Sequence, residues 1–132
     1  MVDRRVAVAE SRRVYQEIEI RNPEFTSLCP MTGQPDFGEL IIRYRPKEKC
    51  IESKSLKLYL MGYRQHGAFA EVITNQIMDD LVKVLRPLTL RVTGTFTPRG
   101  GLSFSPTSYY VNPSYQRILD GGDQPSETIA RL

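Results

Sequence analysis

The chain has 132 residues, 40% of them hydrophobic and 25% charged, with a formal net charge of +3. This is an ordinary balance for one soluble globular domain. The charge suits phosphates or acidic ligands but is too small for a nucleic-acid footprint, and no apolar run approaches the roughly 20 residues that span a bilayer.

Residues 1–12 are charged and without period, which predicts a mobile arm ahead of a single domain over 13–106, with a tail over 107–132. The start lacks the apolar core of a signal peptide, so a cytoplasmic protein is expected. In 14–20, Val14, Ile18 and Ile20 share one side and Tyr15, Glu17 and Glu19 the other, the alternation of a half-buried strand. A second strand is predicted over 37–45, with Leu40, Ile42 and Tyr44 on one face and Ile41, Arg43 and Arg45 on the other. Two helices follow. The first, over about 53–64, sets Leu56, Tyr59, Leu60 and Tyr63 at helical spacing. The second, over about 69–85, has Phe69, Val72, Ile73, Ile77, Leu81 and Leu85 as its buried stripe, with Asp79 and Asp80 facing water. Strands resume over 88–96, and a turn at Thr97-Pro-Arg-Gly-Gly101 leads to a short return strand over 102–105. From 106 on, prolines and adjacent glycines predict a segment that is disordered or lies on a neighbouring subunit.

The order ββααββ predicts an α+β fold, a four-stranded antiparallel sheet with two helices on one face. Its second face carries Arg43, Arg45, Arg91 and several threonines, and its open edges invite pairing with another chain.

One stretch stands out, Glu24-Phe-Thr-Ser-Leu-Cys-Pro-Met-Thr-Gly-Gln-Pro-Asp36. Pro30 pushes Cys29 toward an extended conformation, and Gly33 with Pro35 turns the chain so that the Asp36 carboxyl can return toward the sulfur. A thiol beside a carboxyl group suits covalent catalysis on a carbon–nitrogen electrophile, sulfur adding to carbon while the acid protonates nitrogen. From these residues alone Cys29 also reads as a small buried hydrophobe, the commoner habit of cysteine. Cys29 and Cys50 form no CxxC pair and His66 is the only histidine, too few ligands for a structural zinc site, so no metal is expected. A Cys29–Cys50 disulfide is disfavoured in the cytoplasm. Neither GxGxxG nor a P-loop is present. Lys54 and Lys57 near a helix start could hold an anion, or be solvated like most exposed lysines.

Three pieces in the right order resemble a known family: the stretch just quoted, Glu52-Ser-Lys-Ser-Leu-Lys-Leu-Tyr-Leu60 and Phe96-Thr-Pro-Arg-Gly-Gly101. Over about residues 23–106 the sequence is similar to the 7-cyano-7-deazaguanine reductases, NADPH-dependent nitrile reductases of queuosine biosynthesis, in their short single-module form. The resemblance implies Cys29 as the nucleophile forming a covalent thioimidate, and Asp36 as the proton donor or relay. It implies Ile51, Glu52, Ser53, Ala70 and Glu71 around the deazaguanine ring, and Lys54, Lys57 and Arg99 as the cations that hold NADPH. It further implies the tunnel fold, closing a barrel by oligomerisation, as two stacked rings (a decamer) with active sites between subunits, and neither a nucleic-acid nor a membrane partner. One departure stands at Phe69-Ala-Glu71, where the family usually has histidine in place of Ala70. Two other functions fit less of the sequence. A tunnel-fold amidinotransferase acting on a nitrile-bearing tRNA base would lack the lysine-rich motif, and a basic binding module would show aromatic pairs that are missing here.

Overall fold

The computed structural model describes residues 16–121. The expected arm over 1–12 lies outside them, as do Val14 and Tyr15 and the end of the chain from 122. Four strands, β1 Ile18–Leu28, β2 Pro35–Arg45, β3 Thr89–Phe96 and β4 Thr107–Val111, form one antiparallel sheet in that order. Between β2 and β3 come α1 Ser53–Met61, a one-turn 3₁₀ helix Gly62–Gln65 and α2 Ala70–Leu85; a third helix, α3 Pro113–Leu119, follows β4. The predicted α+β class and antiparallel sheet are both found.

β1 begins later and runs further than its alternation suggested. Asn22 faces Leu40 but Phe25 faces Gly38, so two β1 residues oppose one of β2 in a bulge at Pro23 and Glu24. The bulge shifts the inward phase from even positions (Ile18, Ile20) to odd ones, and Phe25 and Ser27 are buried beyond it. A strict period-two reading fails at that point. Opposite Phe25, Gly38 must lack a side chain, because a Cβ there would lie 2.7 Å from the Thr95 carbonyl oxygen. The Phe25 ring packs edge-on to Phe96 with centroids 6.2 Å apart.

The core lies between the sheet and the helices. Leu40, Ile42 and Tyr44 of β2 and Leu90 and Val92 of β3 meet Leu56, Tyr59, Leu60 and Tyr63 from the first helical segment and Ile73, Ile77, Leu81 and Leu85 from α2, all buried as expected. Burying a side chain of this kind contributes about 1.5–3 kcal/mol, so this sheet–helix layer supplies most of the drive to fold. Two expected stripe residues do not join it. Phe69 is 54% and Val72 52% exposed, because Phe69 precedes α2 as its cap and Val72 points away from the Ile73–Ile77–Leu81–Leu85 row. Asp79 is exposed, but Asp80 is half-buried and accepts a hydrogen bond from the Tyr59 hydroxyl.

The expected return at 102–105 does fold back beside β3, with the Phe96 amide donating to the Phe104 carbonyl at 3.2 Å and the Gly94 amide to the Pro106 carbonyl at 3.0 Å, but it lies outside the regular strand. Arg99 and Leu102 exchange two backbone hydrogen bonds of 2.9 and 3.0 Å, and the pairing strand starts at Thr107. The stretch from 107, expected as tail, therefore supplies both β4 and α3. Thr-Ser-Tyr-Tyr-Val is rich in β-formers, and its Ser108 sits buried within hydrogen-bond distance of Thr74 Oγ1 (3.2 Å) and Asn75 Oδ1 (2.5 Å) on α2. Asn112 then caps α3, accepting from the Ser114 amide at 3.0 Å, with Pro113 in the first turn.

The sheet's other face carries the expected arginines, each balanced. Arg43 and Arg21 pair with Glu19 at 2.6 and 2.7 Å, Arg45 with Glu17 at 3.6 Å, and Arg91 stacks 4.3 Å over the Tyr109 ring. β1 and β4 are the sheet's edges. Among the described residues, no helix is long and apolar enough to cross a membrane.

Candidate active site

The strand β1 ends in a turn built for a sulfur. The Cys29 amide donates to the Gln34 carbonyl at 2.8 Å and Gly33 donates back to the Cys29 carbonyl at 2.8 Å, with Gly33 at φ +71. Within this turn the Thr32 hydroxyl, then the Thr32 and Met31 amides, donate toward the Cys29 sulfur and lower its pKa below the ordinary thiol value. Burial and the Asp36 charge act the other way. Cys29 is half-buried and, like Cys50, free.

Asp36 lies across the hairpin, facing Ser27 two residues before Cys29. Its carboxylate is held by Arg99, whose Nη2 lies 2.6 Å from Oδ1 and also donates to the Pro35 carbonyl at 3.1 Å. The same end of the sheet receives the start of α2. Leu28 pairs in parallel with Gly67, its amide donating to the His66 carbonyl at 3.0 Å and its carbonyl accepting from Ala68 at 3.2 Å. That strip leads into Ala70 and Glu71 in the first turn of α2, where Glu71 is exposed. Cys29, Asp36, Arg99, Ala70 and Glu71 thus gather at one end. Residues missed in the sequence belong here too. Thr32 is legible only once the turn is known, and the Ser27 hydroxyl is buried with no partner among the described residues.

Ile51 sits at the other end of the sheet. The Ile51 amide donates to the Tyr44 hydroxyl at 3.0 Å, and Tyr44 pairs with Ile18 at the start of β1. Asp36 and Tyr44 are eight positions apart on β2, about 27 Å at the rise of an antiparallel strand. Glu52 is the cap of α1, its carboxylate accepting from the Lys54 and Ser55 amides, so its side chain serves the helix rather than an open site. Ile51, Ser53 and Lys57 line a cleft of about 520 Å³ between α1 and β1, with Cys50 and Leu56 among its walls. Lys54 and Lys57 are exposed along α1. In kind, these lysines beside an apolar cleft fit a phosphate-bearing cofactor with a flat ring. The cleft that Lys57 lines is also lined by Phe25 and Thr26, four and three residues ahead of Cys29. Among the described residues no cluster of three or more His, Cys, Asp or Glu could hold a metal ion.

A four-stranded antiparallel sheet with helices on one face has a counterpart among solved structures. The crystal structure of the archaeosine synthase QueF-Like in the apo form matches with a TM-score of 0.63 at 17% identity, over 72% of this chain and 91% of that one, a likeness of fold. The chain is therefore of the tunnel-fold class. A family model described as QueF-like protein matches residues 35–115, and the chain belongs to that family.

Bacterial relatives carry the name NADPH-dependent 7-cyano-7-deazaguanine reductase. The protein of Bacteroides thetaiotaomicron is 59% identical over 91 residues, covering 69% of this chain and 60% of its own length. That of Streptococcus mutans is 56% identical over 97 residues, covering 74% and 60%, and that of Helicobacter pylori 54% over 103, covering 78% and 70%. The chain thus spans about 60% of the length of the first two of these relatives.

Proposed function

We propose that this chain is an NADPH-dependent nitrile reductase that converts 7-cyano-7-deazaguanine to its 7-aminomethyl form in tRNA queuosine biosynthesis. The observation that carries the reading is Cys29, a thiol in a donor-lined turn whose pKa is lowered, with Asp36 across the same hairpin. The Cys29 thiolate adds to the nitrile carbon and the nitrogen takes one proton, giving a thioimidate with no atom lost. Asp36 supplies or relays that proton. NADPH, when bound, would supply two hydrides: the first, with one proton at nitrogen, reduces the thioimidate carbon, the C–S bond then breaks to return the Cys29 thiolate and leave an iminium, and the second completes the amine. Glu71 accepts the adjacent N–H and NH₂ donors of the guanine-like ring, with Ile51, Ser53 and Ala70 beside it; Glu52 contributes through its place ahead of α1. Lys54, Lys57 and Arg99 bind the cofactor phosphates.

A second copy completes the site. The edges β1 and β4 are free to pair, and exposed apolar side chains, Met31, Phe37, Phe69, Leu102 and Phe104, lie on elements that meet at the Cys29 end. We read the assembly as a barrel closed by neighbouring sheets, in two stacked rings, in the cytoplasm. The alternatives draw less support. An amidinotransferase leaves Lys54 and Lys57 without a task, and a nucleic-acid module is disfavoured because Glu17, Glu19 and Glu39 neutralise the sheet's arginines.

The test uses the nitrile substrate alone, without cofactor, and reads intact mass. The wild type and Cys50→Ser gain the full mass of the substrate and Cys29→Ala gains nothing. An adduct on Cys29→Ala would overturn the assignment.

A further inference from the structure

Arg99 stands at the first corner of a two-residue hairpin turn. Gly100 and Gly101 have φ of +58 and +79, the left-handed pair that such a turn requires. The two backbone bonds between Arg99 and Leu102 fix the corner, so the side chain leaves from a rigid base. Its Nη2 meets two neighbouring groups on β2, the Asp36 carboxylate and the Pro35 carbonyl. A guanidinium has five N–H donors in a planar fork. Among the described residues the Nε and Nη1 edge has no partner, and the side chain is 50% exposed. Asp36, at 25%, is the more enclosed partner.

We propose that Arg99 works through both edges at once. One edge is a positioning contact that orients Asp36 for proton transfer at the Cys29 adduct, and the other receives a phosphate of the cofactor. Bidentate binding of phosphate suits the free edge of a guanidinium. Adduct formation and hydride delivery then share a single cation, and cofactor bound to Arg99 is held in register with the proton donor. This rests on the reading of Cys29 and NADPH given above and adds to it a role before any cofactor binds. A half-exposed ion pair contributes little to stability, so removing the side chain leaves the fold in place and isolates the functional effect.

The experiment measures the rate of cofactor-free adduct formation, by intact mass, together with the steady-state KM for NADPH. Arg99→Ala slows adduct formation about tenfold to a hundredfold, as loss of alignment does at a reacting group, and the double variant with Asp36→Asn is no slower than Asp36→Asn alone. Arg99→Lys returns adduct formation to within a few-fold of wild type, since an ammonium reaches Asp36 as a point charge. Its KM for NADPH stays raised about tenfold, because lysine has no second edge. Adduct formation by Arg99→Ala at the wild-type rate overturns the inference. So do additive losses in the double variant, or recovery of both quantities in Arg99→Lys. A wild type that forms no adduct at all removes the underlying reading of Cys29 instead, and the two failures are told apart by that first measurement.

Discussion

At Cys29 the thiol's pKa is lowered by hydrogen-bond donors of the turn. The largest influence lowering its pKa is the Thr32 hydroxyl, followed by the Thr32 and Met31 amides, while the nearby Asp36 charge opposes them. Asp36 is held by Arg99 across the hairpin, so it is the turn and not the carboxylate that lowers the thiol's pKa. Thr32→Val keeps the shape of the threonine side chain and removes the hydroxyl. The midpoint of Cys29 alkylation by iodoacetamide, followed against pH at peptide level, moves upward in this variant. An unmoved midpoint would assign the activation to the amides alone. The sequence shows Cys29 and Asp36 as a spaced pair but is silent on Thr32 and Arg99, because both depend on glycines at positive φ (Gly33, Gly100 and Gly101) that aim their neighbours.

At the scale of elements, α1, the 3₁₀ turn and α2 are locked by one buried hydrogen-bonded row. Tyr59 donates to Asp80 and lies 3.0 Å from the Tyr63 hydroxyl, and Tyr63 stacks edge-on against His66, whose carbonyl holds Leu28 next to Cys29. Burial first, then Asp80 and Tyr63, push the Tyr59 pKa upward; burial also raises that of Tyr63. Unfolded tyrosine ionises near pH 10. The folded state therefore keeps protons that the unfolded chain releases, and stability is full below about pH 10 and declines as pH rises past it. Tyr59→Phe removes this residue's share, so its unfolding midpoint in urea falls less steeply between about pH 9.5 and 11 than the wild type's. A parallel decline in both proteins would place the alkaline sensitivity elsewhere.

The Leu56–Tyr59–Leu60–Tyr63 stripe was legible from spacing alone, as was the Leu40–Ile42–Tyr44 row of β2. What spacing missed lies at ends and irregularities. Phe69 caps rather than packs, Asp80 turns inward to a tyrosine, and the regular ladder of β4 starts five residues later than the hairpin pattern suggests, the segment before it bonding to β3 only at Phe104 and Pro106.

At the scale of the whole molecule, α1 packs beside β1, and the cleft between them joins Lys57 to the part of β1 that leads into Cys29. Light scattering at concentrations where the protein turns over reports a ring-sized particle, many times the 15.1 kDa of one chain. Mixing Cys29→Ala with Lys57→Ala subunits restores activity if the Cys29 and Lys57 of one site come from different copies. An active 15.1 kDa species would contradict the shared site.

The bulge at Pro23 and Glu24 has a further consequence for how this sequence can change over time. Because each residue of a strand reverses the side it faces, the extra residue of the bulge is what lets odd positions beyond it share a face with even positions before it. Loss of one residue at Pro23 or Glu24 would restore a regular ladder and leave Phe25 and Ser27 opposite Gly38 and Asp36. Loss of one residue from the paired run 25–28 would instead reverse the side that its neighbours face. Changes of length ahead of the cysteine are therefore absorbed at the bulge, and substitutions are the main route open to the rest of that half of the strand.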